Sequence, residues 1–380
     1  MTTLKGPWRA SITVLGVVVL GLVLALSLAR REAPRSVMLA YSLQGYSQGR
    51  TLHRVLINGQ ADRALMTGNL SVFYVLRWHP SGEQLAYAHA NENLNAWQLY
   101  PDILTEQAAP HWRVELAFRS LAPLSWSPDL REVALLDTET RLVRLHPTTG
   151  RSLLYQSQGL LNHPTWSPDG QWIAFTEGDN VRALPLEGGP VRRLTDQGAG
   201  AGLFNQPLSW SPDSQQLATV SRWGDGFRPY VVDLRAGTVR PLAAVEQVRE
   251  QLNWSPDGAW VVFTTEEGRL YRVRVADGLL QDLTPHRQRV LEADWSPDGT
   301  QLAYVVDEGR HVDLYLMEAD GGQPRRLIRS PDFRIVQQPR WAPVIDLPWR
   351  GGGLALVGLG LLLLARSEGW VRAFRRRFGR

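Results

Sequence analysis

Two long apolar runs bracket a middle in which hydrophobic and polar residues alternate in short bursts. Ser11 to Ala29 holds 19 consecutive uncharged positions, which at about 1.5 Å of rise per residue reaches the roughly 30 Å of a bilayer core. A transmembrane helix is therefore expected over residues 11–29, after a short N-terminus of residues 1–10. A cleaved signal peptide is the competing reading, because Lys5 and Arg9 precede the run and Ser27-Leu28-Ala29 resembles a small-x-small cleavage site. Gly351 to Ala365 is a second uncharged run, of 15 residues, with Trp349 and Trp370 spaced as interfacial aromatics and Arg350 and Arg366 placed to snorkel. A second transmembrane helix is expected over residues 349–366, followed by a basic tail, residues 367–380. Leu347-Pro348-Trp349-Arg350-Gly351 also resembles a sortase signal with arginine in the threonine position, and Gly351-Gly352-Gly353 resembles tails cut by rhomboid-type proteases. A processed tail is the alternative to a plain anchor.

Between the runs the alternation is that of strands, punctuated by one recurring string. Trp78, Trp126, Trp166, Trp210, Trp254, Trp295 and Trp341 each close an apolar stretch, at spacings of 40 to 48 residues. That length holds four short strands and their turns. After most of these Trp comes Ser-Pro-Asp-Gly or a close variant, with Pro at the second corner and Gly at the fourth of a tight turn. Alternating strands follow, as in Gln171 to Thr176, Ala259 to Thr264 and Gln301 to Val306. A third strand such as Arg269 to Val275, a Gly turn and a fourth such as Pro190 to Thr195 complete the unit.

The Trp-Ser-Pro-Asp-Gly string, the aliphatic-aromatic strand and the Gly-Gly turn before Arg192-Arg193-Leu194-Thr195 resemble the WD-repeat-like blades of the TolB-like β-propeller family. The resemblance covers about residues 36–343 and implies an all-β, seven-bladed β-propeller with four-stranded blades. Leu130 and Ser214 replace the turn glycine, which leaves the geometry of those two turns open. Six units begin at Trp78 through Trp295, whereas Val336 to Trp341 is a first strand with no successor. Ser36 to Ser42, Thr51 to Asn58 and Ala61 to Met66 are three strands with no first. Together they make a last blade closed by both ends of the chain, which removes the open edges of the ring. Both apolar runs then leave from the same cut in that blade.

Charge locates the chain once its distribution is separated from its sum. The formal net charge is +4, with 41 Lys+Arg against 37 Asp+Glu, and Lys5 is the sole lysine. Arginine is abundant along the whole length, which reads as a composition bias rather than as phosphate binding. Residues 1–35 and 366–380 hold the excess, so residues 36–365 carry −5 and no nucleic acid is expected as a partner. Lys5, Arg9 and the six tail arginines outnumber Arg30, Arg31, Arg35 and Arg350, so both termini are expected in the cytoplasm and the propeller outside the plasma membrane.

Candidate chemistry is sparse. With no cysteine there is no disulfide scaffold, thiolate metal site or cysteine nucleophile. The eight histidines show no metal spacing, and no phosphate loop or dinucleotide fingerprint is present, so no cofactor and no metal are expected. Gly45-Tyr-Ser-Gln-Gly49 matches a nucleophile elbow and resembles the serine motif of cutinases, but it lies between two strands where an elbow needs a helix after it. A Gly-rich hairpin is the simpler reading, so no catalytic residue is assigned. Asp129, Asp169, Asp213, Asp257 and Asp298 recur inside the turns, where local backbone hydrogen bonding explains them better than a cation ring.

The positions just before the seven Trp are all polar: Arg77, Ser125, Thr165, Ser209, Asn253, Asp294 and Arg340. With His163, Gln251, Glu292 and Gln338 further up the strands, they are expected to wall the central channel and its mouth away from the membrane. The longest hairpin, Ser221 to Arg228 with Trp223, is expected beside that mouth. A ligand or partner is sought there, on Arg77, His163, Trp223, Gln251, Glu292, Asp294, Gln338 and Arg340. The function that follows is a membrane-anchored, extracytoplasmic binding scaffold in the cell envelope, with the bilayer and an envelope protein or peptide as partners. A glycan- or peptide-processing enzyme is the alternative, in which the ligand is a saccharide or peptide substrate. The segment after the repeats is too short to be read as a hydrolase domain, so no enzymatic activity is expected.

Overall fold

The computed structural model describes residues 38–45, 49–60, 62–68, 74–79, 84–90, 96–100, 112–115, 124–195, 207–223, 226–284, 288–331 and 334–343. Every regular element among them is a β-strand, and no helix among them is long and apolar enough to cross a membrane. The expected spans, 11–29 and 349–366, lie outside the described residues, as do both tails.

The described strands pair into five four-stranded sheets and one eight-stranded sheet, a propeller-like all-β architecture. The third repeat shows the plan: Leu161–Trp166, Trp172–Glu177, Asn180–Pro185 and Arg192–Arg193 follow one another as antiparallel neighbours. Hydrophobic residues face both sides of the second strand, so Ile173, Ala174 and Phe175 are all buried, as expected for a sheet packed on both faces.

The eight-stranded sheet is two four-strand sets touching through one parallel pair, Val312 with Ile335. One set runs from Arg289–Trp295 to Arg325–Ile328 in the repeat order. The other is composite: Arg334–Trp341 pairs with Met38–Gly45, which leads on to Gly49–Leu56 and Arg63–Gly68. Two of these strands extend to the pair Gly45 and Gly49, beyond the expected ends, because the ladder continues to the hairpin tip. The next turn takes Asn58 and Gly59, with Leu56 N–H donating to the Gln60 carbonyl at 3.0 Å, so the third strand begins at Arg63 rather than Ala61. Leu39 lies opposite Trp341, so the described chain enters and leaves side by side, where the other sets carry their turn.

Each buried cluster is shared by two neighbouring sets. Ala174, Ala183 and Trp210 with Tyr230 join one pair, and Ala40 and Leu52 with Leu76 and Trp78 join the composite set to the set that follows it. The repeated Trp adds a polar link to this packing. The indole Nε1 donates to the carbonyl of the residue before the preceding Trp: Trp210 to Thr165 at 3.1 Å, Trp254 to Ser209 at 3.0 Å and Trp295 to Asn253 at 3.1 Å. Trp341 continues the series to Asp294 at 3.2 Å, and Trp78 closes it to Arg340 at 3.1 Å. Trp166 departs from the series, its indole reaching the Gly170 carbonyl of its own turn while its backbone N–H donates to Ser125 Oγ at 3.1 Å. Further out, arginines tie sets together through carbonyls: Arg240 to Val275, Arg272 to Ala319 and Arg325 to Ile57, at 2.6 to 2.7 Å. Part of the arginine content is thus structural rather than a composition bias alone.

Candidate functional site

The turns come first, because they set one end of every set. In each described turn the serine hydroxyl donates to the aspartate, as from Ser127 to Asp129 at 2.7 Å and from Ser296 to Asp298 at 2.7 Å. The same carboxylate accepts the backbone N–H two residues on, in all five turns. Burial alone would raise Asp129 and Asp298, but these bonds outweigh it and hold both below the usual carboxylate range. At Asp257 the Ser255 hydroxyl is the leading cause of the same lowering. Asp169 and Asp213 make the same two bonds. The aspartates therefore serve their own turns, as their position implies.

The turn glycines are needed for backbone angle rather than for space. Gly170 has φ +76°, yet a side chain there would meet Pro128 only at 3.8 Å. Leu130 and Ser214 adopt the same angle, at φ 58° and 59°, a strained choice for residues with a Cβ. Each gives its side chain a use. Leu130 is 4% exposed within an apolar cluster, and the buried Ser214 accepts the Asp169 N–H at 3.1 Å.

Six of the seven positions before the Trp converge on a channel, and Asp294 stands behind its wall against Arg340. Arg77, His163, Gln251, Gln338 and Arg340 line one cavity of about 460 Å³ together with Ser125, Thr165, Ser209 and Asn253. Its wall is drawn from six of the Trp-bearing strands, which places it at the centre of the sets. Arg340 organises one side: its guanidinium lies 3.9 Å from Asp294, and Gln251, with its amide oxygen turned inward, accepts from both terminal nitrogens at 2.7 and 3.2 Å. Burial raises Asp294 to about 6 against the pull of Arg340 and two backbone N–H groups, with Glu292 adding to the rise. Glu292 accepts the Gln338 N–H at 2.8 Å. In the neighbouring set Arg77 donates to the Trp126 carbonyl at 2.9 Å, and burial draws it down to about 10 against the pull of Asp129, still protonated at neutral pH.

Two residues on this wall were not foreseen as strained. His163 and Gln338 have φ 52° and 50°, each at a register shift in its strand and each followed by a proline. Strain of this kind clusters at functional sites. The shared string, residue-Pro-residue-Trp, is the sequence signal for it: His163-Pro164-Thr165-Trp166 and Gln338-Pro339-Arg340-Trp341.

A second cavity, about 660 Å³, is lined by Gln251 and Glu292 with Phe227, Arg249, Glu266 and Arg289. It joins the long hairpin to the channel wall, since Phe227 lies on the hairpin strand Gly226–Asp233. Trp223 ends the partner strand, opposite Gly226.

Ser47 lies outside the described residues, but the flanking Gly45 and Gly49 face each other across an antiparallel hairpin. Beside it, Thr51 Oγ1 is 2.9 Å from His53 Nε2, and His53 Nδ1 is 3.1 Å from Asp62, which also accepts from Tyr41 at 2.8 Å. This hydroxyl–imidazole–carboxylate row sits on the outer strands of the composite set. Among the described residues no three His, Asp or Glu side chains are grouped as metal ligands.

Repeated four-stranded sheets around a polar channel define a β-propeller. The family model for the TolB beta propeller domain matches residues 199–345, and that for the dipeptidyl peptidase IV N-terminal region matches residues 130–222. An uncharacterised protein of Agrobacterium fabrum (strain C58) is 27% identical over 263 residues, 64% of this chain and 87% of the relative. An uncharacterised peptidase of Bacillus subtilis (strain 168) is 33% identical over 130 residues, 33% of this chain but only 18% of the peptidase. Among solved structures, the fold is shared with oligogalacturonate lyase from Vibrio parahaemolyticus, at TM-score 0.56 and 15% identity, covering 71% of this chain and 84% of that one. Repeat and fold together make residues 38–343 an all-β, propeller-like unit that is similar over residues 199–345 to the TolB beta propeller domain.

Proposed function

We propose that the chain is a seven-bladed propeller held outside the plasma membrane by its two apolar segments, with both termini in the cytoplasm, and that it binds an envelope protein or peptide through its channel. Support for seven blades comes from the composite set, which supplies the last one and joins the first through Trp78 and Arg340. Support for anchoring comes from the apolar runs and their basic flanks. The observation that carries the binding role is the channel, where two arginines and a ring of hydroxyls and amides line a 460 Å³ space. Two purifications test it. Full-length protein solubilised from membranes is expected to retain an extracytoplasmic partner, and Thr165→Trp, which fills the channel, is expected to release it. Equal recovery from both forms contradicts the channel as the binding site.

A second reading is a glycan- or peptide-processing enzyme. It is favoured by the Thr51, His53 and Asp62 row, whose order matches a nucleophile, base and orienting acid, and by the lyase and peptidase among its relatives. Labelling by a serine- or threonine-directed activity probe that is lost on Thr51→Ala or Ser47→Ala would establish this reading over the scaffold.

A further inference from the structure

Among the described residues four large hydrophobic side chains are exposed, Leu153, Leu160, Leu279 and Leu280, and two of these are consecutive. Leu279 is 42% exposed and Leu280 37%, where a hairpin joins Leu270–Arg274 to Leu280–Asp282. The hairpin is not a loose loop. Gly278 turns the chain at φ +75°, its N–H donates to the Arg274 carbonyl at 2.9 Å, and the Arg274 N–H donates to the Leu279 carbonyl at 2.9 Å. Asp277 accepts from the Leu279 N–H at 3.2 Å and from Arg274 Nε at 2.9 Å. Two leucines are thus held outward by a turn that bonds its own polar groups.

The surroundings suit a membrane interface. Trp260 is half-buried under two guanidinium groups, with Arg272 4.3 Å and Arg274 5.8 Å from its ring centroid. The third set repeats this pairing at the same place with Trp172 and Arg192, at 5.8 Å. Indole rings settle at the headgroup level of a bilayer, and arginines reach its phosphates. The nearby acids are engaged, Asp257 with Ser255 and the Ala259 N–H, Asp277 with Arg274, and Asp320 with the Gly322 N–H.

The hairpin also lies at the tethered end of its sheet. The Val275 N–H donates to the Ala259 carbonyl at 2.9 Å, which ties it to the turn of residues 255–259. This is the end at which the described chain enters and leaves, beside Leu39 and Trp341. Eight residues, 30–37, connect it to the first apolar run, and five, 344–348, to the second. Fully extended, at about 3.5 Å per residue, the shorter link reaches roughly 20 Å. The turn-bearing end is therefore kept close to the surface that holds the apolar runs. Resting on the anchoring of the chain by those runs, we infer that this hairpin is a membrane-contact element, with Leu279 and Leu280 inserted among the lipid headgroups.

The test uses full-length protein reconstituted into phosphatidylcholine vesicles. Because the chain has no cysteine, Leu280→Cys carries a single bimane label. The control is Leu160→Cys, at a leucine 55% exposed just before Leu161–Trp166, at the opposite end of its set. Lipid with a doxyl group near the headgroup is expected to quench the label at Leu280→Cys at least about twofold more than at Leu160→Cys. Adding Leu279→Ser is expected to cut that quenching by about half, because the native leucine rather than the dye seats the hairpin. Melting temperature confirms that the variants fold. Equal quenching at the two positions, or quenching at Leu280→Cys that Leu279→Ser leaves unchanged, overturns the inference. A signal that follows the protein-to-lipid ratio but not the doxyl lipid assigns the leucines to a second copy and also overturns it. The anchoring fails separately. Protein stripped from the vesicles by alkaline carbonate removes the anchoring and the inference with it, whereas protein that resists carbonate with Leu280→Cys unquenched removes the contact alone.

Discussion

Replacing Leu130 with glycine restores the residue that its turn carries in most other repeats, yet it is expected to destabilise the protein. Two effects oppose each other. Leu130 sits at φ 58°, and the left-handed conformation costs a residue with a Cβ on the order of 1–2 kcal/mol, which glycine relieves. Against that, the side chain is 4% exposed and packs against Trp126, Val133 and Leu135. Removing a buried leucine costs about 2–5 kcal/mol once the cavity it leaves is included. The packing loss wins, by roughly 1–3 kcal/mol. Leu130→Ala loses nearly the same packing and keeps the strain, so it is expected to be the least stable of the three by about 1 kcal/mol. Urea unfolding followed by tryptophan fluorescence gives the order: wild type, then Leu130→Gly, then Leu130→Ala. A glycine variant as stable as wild type would refute the packing argument. An alanine variant equal to the glycine one would refute the strain.

Other outcomes follow from the same geometry. Trp254→Phe keeps most of the ring but strands the Ser209 carbonyl, now bonded at 3.0 Å; unfolding experiments are expected to show a loss of about 1–3 kcal/mol. Asp257 and Asp298 are held below their ordinary range, so the stability they add is present above about pH 4 and lost as pH falls through their folded values. Asp257→Asn with Asp298→Asn should flatten that acid limb of a stability profile. Asp294 has the opposite sign. Its pKa is raised to about 6, so stability is highest below about pH 4, falls as pH rises from about 4 through 6 and levels off above, by at most about 3 kcal/mol. The carboxylate keeps 20% exposure, which reduces the effect through solvent screening. Asp294→Asn should remove this part of the profile, and an unchanged profile would mean that channel water screens the charge fully.

The architecture was legible because its signal is local and repeated. Trp and Pro recur with each turn and Asp with five of them, and the serine hydroxyl, the aspartate and the backbone N–H that meet there lie within five positions of one another. The composite set was legible too, from strands left over at either end of the repeats. What five of the Trp indoles bond was not, because the acceptor lies more than 40 positions away, in the neighbouring set. The roles of Leu130 and Ser214 were hidden for a similar reason: a departure from the turn residue shows in the sequence, but the cluster and the Asp169 N–H that compensate for it are made across the sheet interface. On the channel wall, polarity before each Trp located Arg77 and Arg340. It did not separate Arg340, tied to Asp294 and Gln251, from Arg77, which donates to the Trp126 carbonyl and feels Asp129. That difference depends on which sets are neighbours in the ring.

The most direct test of the account is a photo-crosslinking amino acid at Gln338, on the channel wall, in intact cells, with one at Leu280 on an outer strand edge as the control. The account predicts an adduct with an extracytoplasmic protein or peptide from Gln338 that is absent from Leu280. A cytoplasmic partner, or equal adducts from both positions, would contradict it.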